Sequence, residues 1–245
     1  MLWRIFYRPY GDAMHDQIQT EAENIFDTWE IYKKIVSANN MFHRELYADV
    51  AAVLQTVKMN FSFLDLGCGD AAHFATVLAG LPIGGYCGVD LSKTALALAA
   101  DNLQALACPV EWRCGDLLEV LAASTQRYDV IFTGFALHHL SVTQKEAFFQ
   151  AALAHLNASG CLVLVDTVRA EQEDRAAYLA AYCGWLRDCW QGVCPQEKEV
   201  ACQHIMDYDF PETLSALQAM AEQAGFRAGL PISRYRWHQL LRFEM

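Results

Sequence analysis

Phe63-Leu64-Asp65-Leu66-Gly67-Cys68-Gly69-Asp70-Ala71 decides the reading of this chain. Residues 61–66 are a short apolar run closing on Asp65-Leu66, the pattern of a strand buried on both faces of a parallel sheet. Two glycines one residue apart follow at once, and then an apolar helical stretch over 72–78. Glycine permits a tight strand-to-helix turn and leaves bare backbone for a ligand to approach. The helix start beyond it offers unpaired N–H groups. A G-x-G pair alone also occurs as plain loop chemistry. Asp65, two residues before the first glycine, and further acids at other strand ends raise this one above that.

The alternation of strand and helix patterns continues downstream. A strand over 86–89 ends at Asp90, Ser92 is placed to cap a helix over 93–106, and Pro109 stops any continuation. A third strand, 110–113, runs into Cys114-Gly115-Asp116, with a helix over 117–123. A fourth, 128–133, leads into Gly134-Phe135-Ala136-Leu137-His138-His139-Leu140. Ser141 and Gln144 form a capping-box pattern for a helix over 142–156. Asn157-Ala158-Ser159-Gly160 then reads as its terminator, before a fifth strand over 161–165 that reaches Asp166.

The flanks are less regular. Residues 12–58 read as helical with a break near 37–40, and Leu46, Val50, Val53, Leu54 and Val57 share one face. From 169 to 209 one or two helices with an aromatic face (Tyr178, Tyr182, Trp185, Trp190) are expected. Pro211 opens a helix over 212–224, which Gly225 ends. Strands over 226–230 and 235–243, around Pro231-Ile232-Ser233, are joined too briefly for a helical crossover and should pair antiparallel. The expected fold is therefore α/β, a doubly wound, mostly parallel sheet with an antiparallel C-terminal hairpin. One domain is expected: residues 1–59 as an N-terminal helical cap and 60–245 as the ligand-binding body, with a helical insertion, 169–210, after strand five.

Composition narrows the partners. Of 245 residues, 54% are hydrophobic and 19% charged, which fits a compact globular protein and not a disordered one. Eighteen basic against 29 acidic residues give a net charge of −11, which disfavours nucleic acid or an anionic membrane surface as the main partner. No apolar run reaches the roughly 20 residues that span a bilayer, and the N-terminus shows no signal-peptide pattern; a cytoplasmic location is the expectation. The nine cysteines are expected to be reduced, small buried hydrophobes. Cys183, Cys189, Cys194 and Cys202, with His204 nearby, are the one cluster, but their spacing does not match the C-x2-C pairs of structural zinc sites. No metal is expected.

The strand-terminal acids suit a nucleoside ligand. An acid at the tip of strand two, Asp90, can accept hydrogen bonds from ribose hydroxyls. Asp116, after strand three, can accept from an exocyclic adenine amine. Asp65 could hold the glycine turn or a cationic ligand group, and any single acid could simply cap its loop. Together these motifs resemble class I S-adenosylmethionine-dependent methyltransferases over residues 60–168. Asp65-Leu66-Gly67-Cys68-Gly69-Asp70-Ala71 is similar to that family's first motif, with Ala71 where many members have glycine. Gly88-Val89-Asp90-Leu91, Gly115-Asp116-Leu117 and Tyr128-Asp129-Val130-Ile131 with Leu137-His138-His139-Leu140 resemble the next three.

The resemblance implies a Rossmann-like sheet of seven strands and S-adenosylmethionine as cofactor. It implies contacts from Asp65, Gly67, Cys68, Gly69, Asp90, Leu91, Asp116, Leu117, Gly134 and Phe135, with Arg44 a candidate for the cofactor carboxylate. The function expected is methyl transfer to a small molecule. An alternative is an NAD(P)-dependent oxidoreductase, but the third glycine of G-x-G-x-x-G is Ala72 here, and those enzymes usually keep Asp65's position apolar. A non-catalytic S-adenosylmethionine-binding protein is a third reading.

His138 and His139 follow strand four, where a side chain can meet substrate, and histidine titrates near neutrality. Either is a candidate base or substrate contact; packing against its own loop is the competing role. Tyr32 and His43, ahead of strand one, and Tyr182 and Trp185 in the insertion are candidate substrate contacts. Packing on the sheet competes for Tyr32 and Tyr47, and a homodimer surface competes for the insertion aromatics.

Overall fold

The structure, a computed structural model, describes residues 31–227 and 229–245. Trp29, Glu30 and the rest of the cap expected before Ile31 lie outside the described residues. Seven strands form one sheet: β1 Phe61–Leu66, β2 Ile83–Asp90, β3 Val110–Cys114, β4 Tyr128–Gly134, β5 Leu156–Thr167, β6 Leu230–Tyr235 and β7 His238–Glu244. Their order is β3-β2-β1-β4-β5-β7-β6. The first five run parallel, while β7 pairs antiparallel with both β5 and β6. The expected doubly wound fold with its closing hairpin is what the chain forms.

Side-chain chemistry explains the layers. β1 and β4 are almost wholly buried, as central parallel strands covered on both faces must be. Leu64, Leu66, Ile131, Leu162 and Leu164 meet the helices Leu117–Ala123, Val142–Ala154 and Leu214–Ala224 on one face. Phe61, Phe63, Val130, Phe132 and Val163 meet the helices His43–Gln55, Ala72–Val77 and Lys93–Asn102 on the other. The helix starts are capped where hydroxyl and carboxylate side chains stand: Ser92 accepts from Ala95 N, Asp116 from Leu118 N, and Ser141 with Gln144 closes a full capping box. Gly225, at φ 108°, ends the helix Leu214–Ala224.

Three expectations need correction. The hairpin turns at Arg236-Trp237, not at Pro231-Ile232-Ser233; Pro231 lies inside β6, an edge strand, where its missing N–H is tolerated. Asn157–Gly160 does not terminate a helix but belongs to β5, and a register shift carries the pairing from Tyr128↔Leu156 to Val130↔Cys161. Gly160 is needed there because a Cβ would stand 3.0 Å from the carbonyl oxygens of Asn157, Asp129 and Tyr128. The helix expected over 93–106 stops at Asn102.

The insertion forms two helices, Arg175–Cys189 and Pro195–Tyr208. A bridge between Arg169 and Thr213 closes its base. It docks on the helical residues 31–37 and the turn after them: Ile35 packs among Tyr178, Tyr182, Leu186 and Trp190. Asn40 and Gln191 exchange two hydrogen bonds, of 2.8 and 2.9 Å. Cap and insertion thus meet above the carboxyl edge of the sheet. No helix among the described residues is long and apolar enough to cross a membrane.

Candidate active site

The strand order reverses between β1 and β4, and ligands of doubly wound sheets bind outside the strand ends at such a point. Leu66 pairs with Thr133, so the turn Gly67-Cys68-Gly69 and the residues Gly134-Phe135 emerge side by side. The turn is left-handed at Gly67 (φ 76°), Gly69 (φ 55°) and Ala71 (φ 50°). A Cβ on Gly67 would stand 3.2 Å from the Cβ of Ala136, whereas one on Gly69 would meet nothing within 4 Å. The second glycine therefore presents open backbone.

Asp90, not Asp65, holds this turn. Oδ2 of Asp90 accepts from Gly69 N at 2.9 Å and Oδ1 from Ser92 N at 2.8 Å. Asp65 lies buried beneath, where the Tyr86 hydroxyl donates to its Oδ2 at 2.6 Å. Burial pushes the Asp65 carboxyl up to about 7, against the Tyr86 hydrogen bond and with help from the Asp90 charge. Asp116 caps the helix Leu117–Ala123.

A cleft runs along this edge in three adjoining parts. The first is formed by Tyr32, Tyr47, His73, the turn 67–72 and Gly134-Phe135. A second, beyond Gly67, is walled by Asp90, Leu91, Gly115, Asp116, Leu117 and His139. The third is a mainly apolar cavity between cap and insertion, with Tyr32, Met41, Phe135, Tyr182, Trp190 and Ile205 in its walls. Tyr32 and Phe135 border the first and third parts; His139 borders the second and third. Phe135 is held there at φ 53°, uncommon for a bulky residue, with its N–H donating to Val165 O at 2.7 Å.

The polar end of the cavity is built from three elements. His138 and His139 sit on a short 3-10 turn, Leu137–His139, after β4. Asp166, at the end of β5, accepts the His138 backbone N–H at 2.9 Å on Oδ2, while Oδ1 faces the ring Nδ1 in a short hydrogen bond. Asp209, just past the helix Pro195–Tyr208, completes the group, because Phe210 N donates to His138 O at 2.7 Å and ties that segment down. Asp209 Oδ1 stands 3.6 Å from His138 Nε2 and 3.4 Å from His139 Nδ1. The His204 ring lies 5.6 Å from that of His139.

Electrostatics separates the two neighbouring histidines. Burial works to lower the His138 pKa, but the carboxylates of Asp166 and Asp209 prevail and hold it above the ordinary value. His139 is held well below, by burial and then by the charges of His138 and His204. Burial also raises Asp209 to about 6, against the attraction of His138.

Most expected site residues converge here, with four exceptions: Asp65, buried beneath the turn, borders none of the three parts, and three others lie aside. Arg44 is exposed on its helix and borders none of the three parts. His43 is buried behind the cleft, stacked on His73 with ring centroids 5.0 Å apart. Trp185 stacks on Phe42 beside the cavity and is not part of its wall. Trp190 was among the insertion aromatics expected near the acceptor, whereas Asp209, His204 and His73 were not expected as site residues. Only the topology brings them in; Asp166 carried the signal of a strand-terminal acid.

Residues 63–160 match the methyltransferase domain family. An uncharacterized methyltransferase of Bacillus cytotoxicus is 28% identical over 160 residues, 63% of this chain and 71% of that protein. Among solved structures, a putative O-methyltransferase from Nostoc punctiforme superposes with a TM-score of 0.59 at 18% identity, over 86% of this chain and 60% of that one. An O-methyltransferase family 2 protein from Planctomyces limnophilus, in complex with apigenin, superposes with a TM-score of 0.59 at 16% identity, over 96% and 63%. The chain thus spans less than two thirds of those two solved proteins. With the sheet order and the glycine turn, these findings give residues 63–160 the likeness of a methyltransferase domain and the chain the fold shared by S-adenosylmethionine-dependent methyltransferases.

Proposed function

We propose that this chain is an S-adenosylmethionine-dependent methyltransferase that acts on a small, largely apolar organic acceptor bound in the cavity between cap and insertion. The observation that carries this is the shared wall: Tyr32, Phe135 and His139 each border both the cavity and the cleft beside the glycine turn. A donor on one side and an acceptor on the other would meet there. The cavity's apolar and aromatic lining suits a small organic molecule, with few polar groups to orient it.

The residues present fit the cofactor. Gly69 offers open backbone where a side chain would otherwise stand, and Asp90 and Asp116 flank the second part of the cleft as acceptors for ribose hydroxyls and an adenine amine. In this reading Gly67, Cys68 and Gly134, in the wall of the first part, would face the sulfonium amino acid, and Leu91 and Leu117, in the wall of the second, would face the adenine. When bound, the sulfonium supplies an electrophilic methyl group. The chain's own work is to hold the acceptor in line with it and exclude water, a source of much of the rate in bimolecular transfers.

An acceptor that arrives protonated must also lose its proton, and the polar groups at the inner end of the cavity are His138, His139, His204 and Asp209. Asp166 fixes the ring of His138 with Nε2 directed to that end. His138 is the residue this reading makes most important there, ahead of His139.

Isothermal titration with S-adenosylmethionine and with NADH, followed by an acceptor screen monitored by mass spectrometry for the demethylated thioether nucleoside, tests the proposal. Binding of the sulfonium cofactor and turnover of apolar hydroxyl- or amine-bearing acceptors are expected. NADH binding alone favours the oxidoreductase, and cofactor binding without any turnover favours a non-catalytic role.

A further inference from the structure

Asp209 is a buried carboxylate whose Oδ1 has no hydrogen-bond donor among the described residues. Leaving such a group uncompensated is expensive. Two ring nitrogens approach it without hydrogen bonding to it, His139 Nδ1 at 3.4 Å and His138 Nε2 at 3.6 Å. Two ligands each roughly 2.1 Å from one tetrahedral cation lie about 3.4 Å apart, close to those spacings.

We propose that His138, His139 and Asp209 form a site for one divalent transition-metal cation at the inner end of the acceptor cavity. One atom from each of the three residues lies within 4.8 Å of the other two. Two imidazoles and one carboxylate suit zinc, iron(II), cobalt, nickel or manganese, and are too nitrogen-rich for calcium or magnesium. Asp166 supplies the outer support that metal-bound histidines usually have, a carboxylate on the far ring nitrogen that fixes the tautomer with Nε2 free to coordinate. His139 Nδ1 also lies 3.2 Å from the Tyr208 carbonyl oxygen. For coordination its proton moves to Nε2, and that contact is given up.

The inference rests on the acceptor-cavity reading and adds to it. Three protein ligands leave a coordination position open, and the cavity lies on that side. An acceptor oxygen bound there has its O–H acidified by the cation. The O–H bond would break heterolytically as the acceptor binds, its proton leaving to bulk solvent ahead of transfer; the oxygen would keep the electron pair and use it to bond the methyl carbon, as the methyl–sulfur bond breaks and its pair stays on sulfur, giving the neutral thioether.

The test uses the full chain without a polyhistidine tag, stripped with chelator and dialysed. Cobalt(II) is titrated with visible absorption as readout, zinc(II) by calorimetry, and S-adenosylmethionine affinity is measured separately on every sample. One cation per chain is expected, with affinity falling roughly 100-fold or more in both Asp209→Asn and His139→Ala, and with cofactor affinity holding in Asp209→Asn, whose site borders neither part of the cofactor cleft. Absence of stoichiometric binding in the unmutated chain, or binding unaltered in both variants, overturns the site. Loss of cofactor binding in the unmutated chain with cation binding intact instead removes the methyltransferase reading and leaves the metal site standing.

Discussion

Asp90 clasps Gly69: the carboxylate at the tip of β2 accepts the backbone N–H of the second glycine at 2.9 Å, tying two adjacent strand ends into one rigid rim. Its other oxygen accepts from Ser92 N, so the same side chain also positions the start of the next helix. Asp90→Ala removes both acceptors and is expected to weaken S-adenosylmethionine binding at least tenfold. Calorimetric titration reads this directly, and unchanged affinity would contradict the placement of the nucleoside at this rim.

Gly69 and Gly88 separate a binding role from a packing role. In Gly69→Ala the methyl enters open space, so the strain is that of a left-handed alanine, about 1 kcal/mol; the expected loss is mainly in cofactor affinity. In Gly88→Ala the methyl would stand 2.5 Å from Trp112 Cζ3 and 3.1 Å from Cys68 Sγ. Overpacking of that kind destabilises by about 1–3 kcal/mol. Denaturant unfolding and cofactor titration on both variants should give opposite patterns.

Asp65 gives stability a pH dependence of unusual sign. Its carboxyl titrates at about 7 in the folded chain because it is buried, and near the ordinary 3.8 when unfolded. Between those values the folded state holds a proton that the unfolded state has released. Its contribution is therefore most favourable below about pH 4, declines as pH rises toward 7, and is flat above. Asp65→Asn lacks this loss. The melting temperature of the variant relative to the parent should rise steadily from pH 5 to pH 7.5; a difference that shrinks over that range would refute it.

How much of this was legible in the sequence depends on the range of the interactions involved. Strands β1 to β4, their caps and the glycine turn were readable because each is set by neighbours a few residues away. The hairpin was misplaced because Arg236-Trp237 contains no glycine or asparagine although Arg236 adopts φ 56°, while Pro231 resembled a turn and is an edge-strand residue. Asp90 and Asp65 were readable as site acids, but the hold on the glycine turn offered for Asp65 belongs to Asp90, since only the pairing of β1 with β2 sets which one reaches Gly69. Asp209 carried no local signal; the Phe210–His138 backbone bond brings it to the histidines from far along the chain.

Asp166 and His138 offer the sharpest test of the acceptor end. Asp166→Asn keeps the shape of the side chain and removes its charge, so the ring loses the partner that fixes its tautomer and supports its basicity. Whether the imidazole takes a proton or holds a cation, turnover should fall roughly 100-fold, the scale for proton-transfer groups. S-adenosylmethionine affinity should stay within about twofold, because neither residue borders the cleft beside the glycine turn. Lowering the His138 pKa should also move the acidic limb of the pH–rate profile to lower pH. His138→Gln and His139→Ala should each reproduce the fall in turnover. Single-turnover rates with saturating cofactor measure all three; normal rates in Asp166→Asn would take His138 out of the chemistry.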